Sequence, residues 1–184
     1  MSSLTNESEL IAKVLISNDQ QAFSQLVKHY QSPLRQYCRR LSAPDHSLAD
    51  DIAQETFIQA YRKLNLYAGK AKFQSWLFRI AYFQFLQHLR KTKVYDELDG
   101  DAAYISPDLL GADKRDIESA MVKLKASERA CITLQYSFGY THEEISEILD
   151  VPTGTIKSHI KRGKEKLSAL LNVQSDTNTL TGVA

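Results

Sequence analysis

Residues 141–167 read THEEISEILDVPTGTIKSHIKRGKEKL. Thr141 followed three positions later by Glu144 is a capping box: the hydroxyl accepts a first-turn N–H and the carboxylate reaches back to the cap's own N–H. The helix it opens, 142–149, turns Ile145, Ile148 and Leu149 inward. Asp150-Val151-Pro152-Thr153-Gly154 makes a short turn in which Thr153 supplies a cap, and the last helix carries Ile156, Ile160, Leu167 and Leu170 as its apolar stripe. A short helix, a tight turn and a basic second helix make a helix-turn-helix, whose second member lies in the major groove with its N-terminal residues near base edges. The positions left outward there are Thr155, Lys157, Ser158, His159, Lys161 and Arg162. Lys and Arg suit phosphates or guanine acceptors, and Ser bonds to either. A solvated basic face is the plain alternative; capping box, turn and apolar register together favour DNA.

Working outward, Ile117, Met121 and Leu124 mark a helix over about 113–124. Ser127 with Glu128 caps a second one carrying Ala130, Ile132, Leu134, Tyr136 and Phe138, and Gly139 ends it because glycine tolerates positive φ. Residues 113–171 therefore read as one helical domain. The stretch 94–112 mixes acids, Gly100, Pro107 and Gly111 without helical periodicity and reads as an interdomain linker. Residues 1–93 form another domain, with helices near 6–17, from Asp19 to about Leu41 through Pro33, 46–64 and 73–93. Residues 172–184 read as a flexible tail. No alternating strand pattern occurs, so the fold class is all-α: two small helical domains joined by a flexible linker.

Two surfaces of the first domain stand out. In the third helix Leu48, Ile52, Ala53, Phe57 and Ala60 share one side, while Asp51, Gln54, Glu55, Ile58 and Arg62 line another. The fourth helix is apolar nearly all round: Phe73, Trp76, Leu77 and Ile80 make one stripe, and Phe78, Tyr82, Phe85, Leu86 and Leu89 a second. Such a helix is either deeply buried or covered from outside its domain. Core packing explains most of its rings. Those near the basic loop Asn65–Lys72, namely Tyr61, Tyr67, Phe73 and Trp76, are also placed to stack on bases, as aromatics interleaved with Lys and Arg do on single strands.

The chain of 184 residues carries 23 Lys+Arg against 22 Asp+Glu, a formal net charge of +1, and is 43% hydrophobic. Those totals exclude disorder throughout and conceal a segregation. Residues 62–93 hold eight basic side chains and no acid; 94–118 hold eight acids against Lys114 and Arg115; 152–170 hold five basic residues against Glu165. An acidic connector thus separates two basic zones, and it is placed to lie over them and restrain DNA binding.

Other chemistry finds little support. No run approaches the ~18 apolar residues of a membrane span, and no secretory leader opens the chain, so no membrane insertion is expected and the cytoplasm is its place. Cys38 and Cys131 have no metal-ligand spacing and read as reduced helix residues. His142-Glu143-Glu144 is similar to a zincin opening, but Ser146 stands where the second His belongs. The Asp50, Asp51 and Glu55 carboxylates lack a completing ligand. The expectation is no enzyme, no metal and no cofactor.

DDIAQETFIQAYRKL (50–64) followed by FQSWLFRIA (73–81) resembles region 2 of sigma-70 family factors of the extracytoplasmic-function (ECF) type, and LDVPTGTIKSHIKRGKEKL (149–167) resembles their region 4. The resemblance implies a promoter-specificity subunit of bacterial RNA polymerase that binds the core enzyme's clamp helices and flap, recognises promoter DNA and answers to an anti-sigma factor. On matching positions, Asp51, Gln54 and Glu55 would face the clamp. Tyr61, Arg62, Asn65, Leu66, Tyr67, Lys70, Lys72, Phe73, Trp76 and Arg79 would hold or support the minus-10 strand. Thr155, Lys157, Ser158, Lys161 and Arg162 would read the minus-35 duplex. Phe83, Gln87 and Lys161 depart from the family's usual residues and bear on strand capture and minus-35 preference. The alternative is a free-standing helix-turn-helix regulator that binds duplex DNA without polymerase.

Overall fold

The computed structural model describes residues 6–99, 117 and 119–180, and every regular element among them is helical. Helix α1 (Glu7–Ser17) closes at Asn18, whose left-handed backbone (φ 53°) turns the chain into α2 (Gln20–Ser42). The Asp19 carboxylate accepts from Gln21 N and Ala22 N at 2.9 and 3.0 Å and satisfies otherwise orphaned amides of the first turn. Asp45 does the same for α3 (His46–Arg62) through Leu48 N at 2.8 Å. A single 3₁₀ turn, Leu64–Leu66, leads into the loop before α4 (Phe73–Asp99). These four helices pack around Leu26, Leu34, Tyr37, Leu41, Leu77 and Phe78.

In the C-terminal unit, residues 119–122 are helical. Then come α5 (Ala126–Ile132), a π-helical turn (Thr133–Ser137), α6 (His142–Leu149) and α7 (Thr153–Leu180). Gly139 adopts φ 73°. The capping box forms: Glu144 N donates to Thr141 Oγ1 at 3.2 Å and Thr141 N to Glu144 Oε2 at 2.9 Å. Ile145, Ile148, Leu149 and Ile156 are buried between α5, α6 and α7.

Several boundaries differ from the sequence reading. The cap of α5 is Lys125 rather than Ser127, its amide held by Glu128 Oε2 at 3.1 Å. The first carbonyl of α7 belongs to Pro152, which accepts from Thr155 N and Ile156 N, so Thr153 is the first helical residue and not the cap. Helix α4 runs six residues past position 93, since no Gly or Pro interrupts 94–99, and α7 continues to Leu180 through the stretch read as a tail. The rest of the linker, 100–112, and residues 181–184 lie outside the described residues.

The all-round apolarity of α4 has its explanation in the second unit. Phe78 stacks on Tyr37 (4.5 Å between centroids) and meets Phe138 and Tyr140 from across the interface at 4.8 and 6.1 Å. Arg129 reaches over Phe85 and donates from Nη1 to the Ala43 carbonyl at 2.9 Å. Ser75 Oγ donates to Tyr140 Oη at 3.2 Å. Helix α4 thus packs on its own bundle and on the C-terminal unit at once, with Phe78 touching both.

Candidate nucleic-acid interfaces

The loop between the 3₁₀ turn and α4 is built on aromatic rings. Phe73, 1% exposed, is the floor. Tyr67 stands edge-on to it at 5.3 Å, and Trp76 lies 5.3 Å from Tyr67 and 5.5 Å from Phe73. Tyr67 Oη donates to the Ala71 carbonyl at 2.6 Å and pins the loop closed, while Gly69 turns it through φ 70°, a value that favours glycine. Burial pushes the Tyr67 phenol above its ordinary pKa, so it stays a donor at neutral pH. Leu66 and Lys70 remain exposed on the rim.

Helix α6 of the C-terminal unit lies across this loop. Lys72 Nζ pairs with Glu144 Oε1 at 3.4 Å, and Arg79 donates to the Glu147 carbonyl at 2.6 Å and to Asp150 Oδ2 at 3.1 Å. The Thr141 amide, chiefly, and Lys72 hold the Glu144 carboxyl below its usual range. Between loop and helix is a cavity of about 620 Å³ lined by Tyr67, Lys70, Trp76, Arg79, Glu147 and Ile148 among others. A basic and aromatic hollow, roomier than a single base, therefore exists, with its outer wall supplied by the helix-turn-helix.

The second interface is the outer face of α7. Thr155, Lys157, Ser158, Lys161 and Arg162 are all exposed, whereas Ile156 and Ile160 point inward, as the apolar register requires. Ser158 Oγ donates to the Gly154 carbonyl at 3.0 Å, and Arg162 Nη2 lies 3.0 Å from His159 Nδ1. A groove beside this face is lined by Gln135, Tyr136 and His142 together with Lys157, Lys161 and Lys164. Tyr136, grouped with inward residues by the sequence reading, is 59% exposed because the π turn rotates it outward.

The third surface is on α3. Asp51 and Gln54 are exposed, and half-buried Glu55 accepts from Gln59 Nε2 at 2.8 Å. Ile58, 44% exposed, continues this polar stripe into a groove with Gln20, Phe23, Phe57, Tyr61 and Arg62.

Loop residues 66–72, Trp76 and Arg79 are gathered at one place, and Asn65 is exposed beside them. Tyr61 and Arg62 are not: Tyr61 donates to Asn18 Oδ1 at 2.6 Å, packs edge-on against Phe23 and faces the α3 groove. Phe73 is too buried to touch a strand and supports Tyr67 and Trp76. The sequence reading missed Glu144, Glu147 and Asp150 as neighbours of the loop, since nothing local ties positions some 70 residues apart. It also missed Glu128, whose partners Arg162 and Lys166 come from α7. Gly163 inside a basic helix was the available signal for that close packing. Among the described residues no three His, Cys, Asp or Glu side chains gather as a metal site, and no helix is long and apolar enough to cross a membrane. Both cysteines are free and buried, and burial pushes each thiol to about 12.

With this geometry in hand, the chain compares as follows. The Sigma-70 region 2 family model matches residues 26–94, and the Sigma-70 region 4 model matches 114–167. The ECF RNA polymerase sigma factor SigW of Bacillus subtilis is 33% identical over 172 residues, covering 84% of this chain and 91% of that protein. The ECF RNA polymerase sigma-E factor of Haemophilus influenzae is 31% identical, covering 81% and 87%. Among solved structures, the sigma factor RpoE of Bartonella quintana, crystallised with the anti-sigma factor NepR, superposes with a TM-score of 0.70 at 29% identity, covering 82% of this chain and 97% of that one. CnrH in complex with the cytosolic domain of CnrY gives 0.66 at 27%, covering 91% and 97%.

Proposed function

The chain belongs to the sigma-70 family, in its ECF branch, and from that premise we propose how its residues divide the work of a promoter-specificity subunit. It is an RNA polymerase sigma factor and not an enzyme. The unit up to about residue 93 binds core polymerase and the minus-10 strand, and the unit 113–171 reads the minus-35 duplex. On α3, Asp51, Gln54 and Glu55 meet the clamp. The loop around Tyr67, with Lys70, Lys72, Trp76 and Arg79, takes the extruded minus-10 base. On α7, Thr155, Lys157, Ser158, Lys161 and Arg162 face the minus-35 element. The factor acts in the cytoplasm, where polymerase and promoter are.

Melting here is physical rather than chemical. Extruding a base costs a few kcal/mol, and each base stacked on a ring returns roughly 1–3 kcal/mol. A few captured bases, with Lys and Arg on the phosphates, are enough to hold an opened strand. The observation that carries the reading is the hollow of aromatic rings and cations formed by residues 66–72 and the start of α4, present in one chain with a helix-turn-helix. Because α6 walls that hollow and Arg79 and Lys72 are tied to it, strand capture follows separation of the two units. An anti-sigma partner, of the kind bound to the RpoE relative, fits a factor whose two DNA-binding units already lie together.

The free-standing regulator is not favoured, since such a protein needs neither region 2 nor the α3 surface. Run-off transcription from promoter fragments with added core polymerase tests the assignment: transcripts that depend on this chain are expected. Binding to duplex DNA with no effect on core polymerase would overturn it.

A further inference from the structure

The carboxylate of Glu128 is enclosed within the C-terminal unit, its side chain 1% exposed. It accepts from Lys125 N at 3.1 Å, which caps α5, and from Lys166 Nζ at 2.7 and 3.0 Å; Arg162 Nε lies 3.7 Å away. Burial alone would raise its pKa, but the Lys166 and Lys125 hydrogen bonds and the charges of Lys166 and Arg162 prevail and hold it below the ordinary carboxylate range. One ionised group therefore bridges the start of α5 and two basic residues of α7. Between those two, Gly163 lets the helices touch: a Cβ there would lie 2.9 Å from Ile132 Cγ1 and 3.6 Å from Glu128 Cβ. The rotation of α7 about its own axis is thus set at one face by contact and charge together.

Arg162 is the residue on which this arrangement acts. Its side chain is 54% exposed, yet Nε is drawn to Glu128 and Nη2 to His159. An unrestrained Arg carries substantial rotamer entropy, much of which a bound geometry forfeits. Restraint from behind lowers that loss while the outer guanidinium edge stays open to a base or phosphate. Glu128 also cancels part of the local positive charge, and so weakens attraction to any phosphate backbone alike. Both effects favour discrimination over raw affinity.

We propose that Glu128 is a positioning residue for minus-35 recognition: from inside the C-terminal unit it aims Arg162 and fixes the roll of the recognition helix. This rests on the assignment of Arg162 to the minus-35 contact.

The test uses the full chain in holoenzyme with two DNA fragments: a promoter it transcribes, and the same fragment with the minus-35 element scrambled. Glu128→Gln is suited to it, because Gln still serves a capping box and the released Lys166 and Arg162 side chains are solvated. Loosening one base contact rather than removing it forfeits the low end of what such a contact discriminates, so the expected result is a roughly five- to tenfold fall in the ratio of the two affinities. Binding to the scrambled fragment is unchanged or tighter, with a steeper salt dependence. Glu128→Asp, which keeps the charge, recovers part of the ratio. A purely structural role predicts instead that both affinities fall together with thermal stability, and that result overturns the proposal. Arg162→Ala separates the two layers. If it leaves the ratio unchanged, the Arg162 assignment fails and takes this proposal with it. If it lowers the ratio while Glu128→Gln does not, the proposal alone fails.

Discussion

Neutralising the α6 side of the interface, with Glu144→Gln and Asp150→Asn together, should raise the free protein's affinity for minus-10 single strand. Both substitutions preserve local structure: Gln suits the capping box, and Asn tolerates the left-handed backbone of position 150 (φ 59°). What is lost is the ion-pair component of Lys72–Glu144 and Arg79–Asp150. These pairs are half open to water, with side chains 68% and 38% exposed in the first and 39% and 69% in the second. At such exposure each is worth roughly 0–1 kcal/mol. The hydrogen bond from Arg79 to the Glu147 carbonyl survives, as do the Phe78–Phe138 contacts. Closure should therefore weaken by about 1 kcal/mol, a two- to tenfold gain in strand affinity. Fluorescence anisotropy with a labelled non-template oligonucleotide measures it, and energy transfer between dyes on the two units reports the separation directly. Because the variant gains two positive charges, Glu143→Gln with Glu165→Gln is the matched control. Equal gains in variant and control, or no gain with unchanged energy transfer, would refute the view that α6 competes with the strand.

Trp76→Ala should impair opening far more than assembly: permanganate reactivity of minus-10 thymines falls by about tenfold, in line with one lost stacking platform, while co-purification with core polymerase is unchanged. Gly163→Ala should destabilise the C-terminal unit by about 1–3 kcal/mol, since the new methyl meets Ile132 at 2.9 Å in a packed helix pair; a lowered midpoint in thermal unfolding followed by circular dichroism checks it. Glu128 and Glu144 both have depressed folded-state pKa values, so their stabilisation is complete above the unfolded value of 4.5 and is lost as pH falls through the folded values. The wild type should lose stability over that acid range, and Glu128→Gln should lose less; parallel denaturant midpoints from pH 6 to pH 3 decide it.

The parts of the fold legible in the sequence were those written in local chemistry. Thr141 and Glu144 cap a helix whatever surrounds them, and Gly139 takes a positive φ that few other residues tolerate. The apolar register at Ile145, Ile148, Ile156 and Ile160 leaves one choice for the outward face of α7. The circumferential apolarity of α4 left two choices, deep burial or cover from beyond its own bundle, and did not decide between them. What stayed hidden depends on distance in sequence or on competition between near-equal local choices. Glu128 meets Lys166 across 38 positions. Phe73 and Tyr67 are both aromatic neighbours of a basic loop, and only packing makes one the floor and the other the wall. Tyr61 sits in the same run as the loop but turns toward Asn18 because α3 ends against the α1–α2 corner. Pro152 rather than Thr153 caps α7, since its carbonyl is free to accept from Thr155 N and Ile156 N.

The charge segregation has a second source beside the one the sequence suggested. The acidic connector was expected to shield the basic zones, and most of it lies outside the described residues. Further counter-charges at the loop before α4 come from Glu144 and Asp150 of the helix-turn-helix itself. That places the restraint on the same unit that must leave the loop before DNA can enter it, so release and exposure are one event. The interface is also built to be opened. It buries the Tyr37 hydroxyl and Arg129 Nε without hydrogen-bond partners, and each such orphan costs about 1–3 kcal/mol. Together, at about 2–6 kcal/mol, those penalties match or exceed the roughly 1.5–3 kcal/mol that one buried Phe such as Phe138 contributes. Rings meeting rings hold the two units together, exposed ion pairs add little, and unsatisfied polar atoms subtract. A polymerase that binds the two units at separate places therefore needs only a modest part of its binding energy to draw them apart.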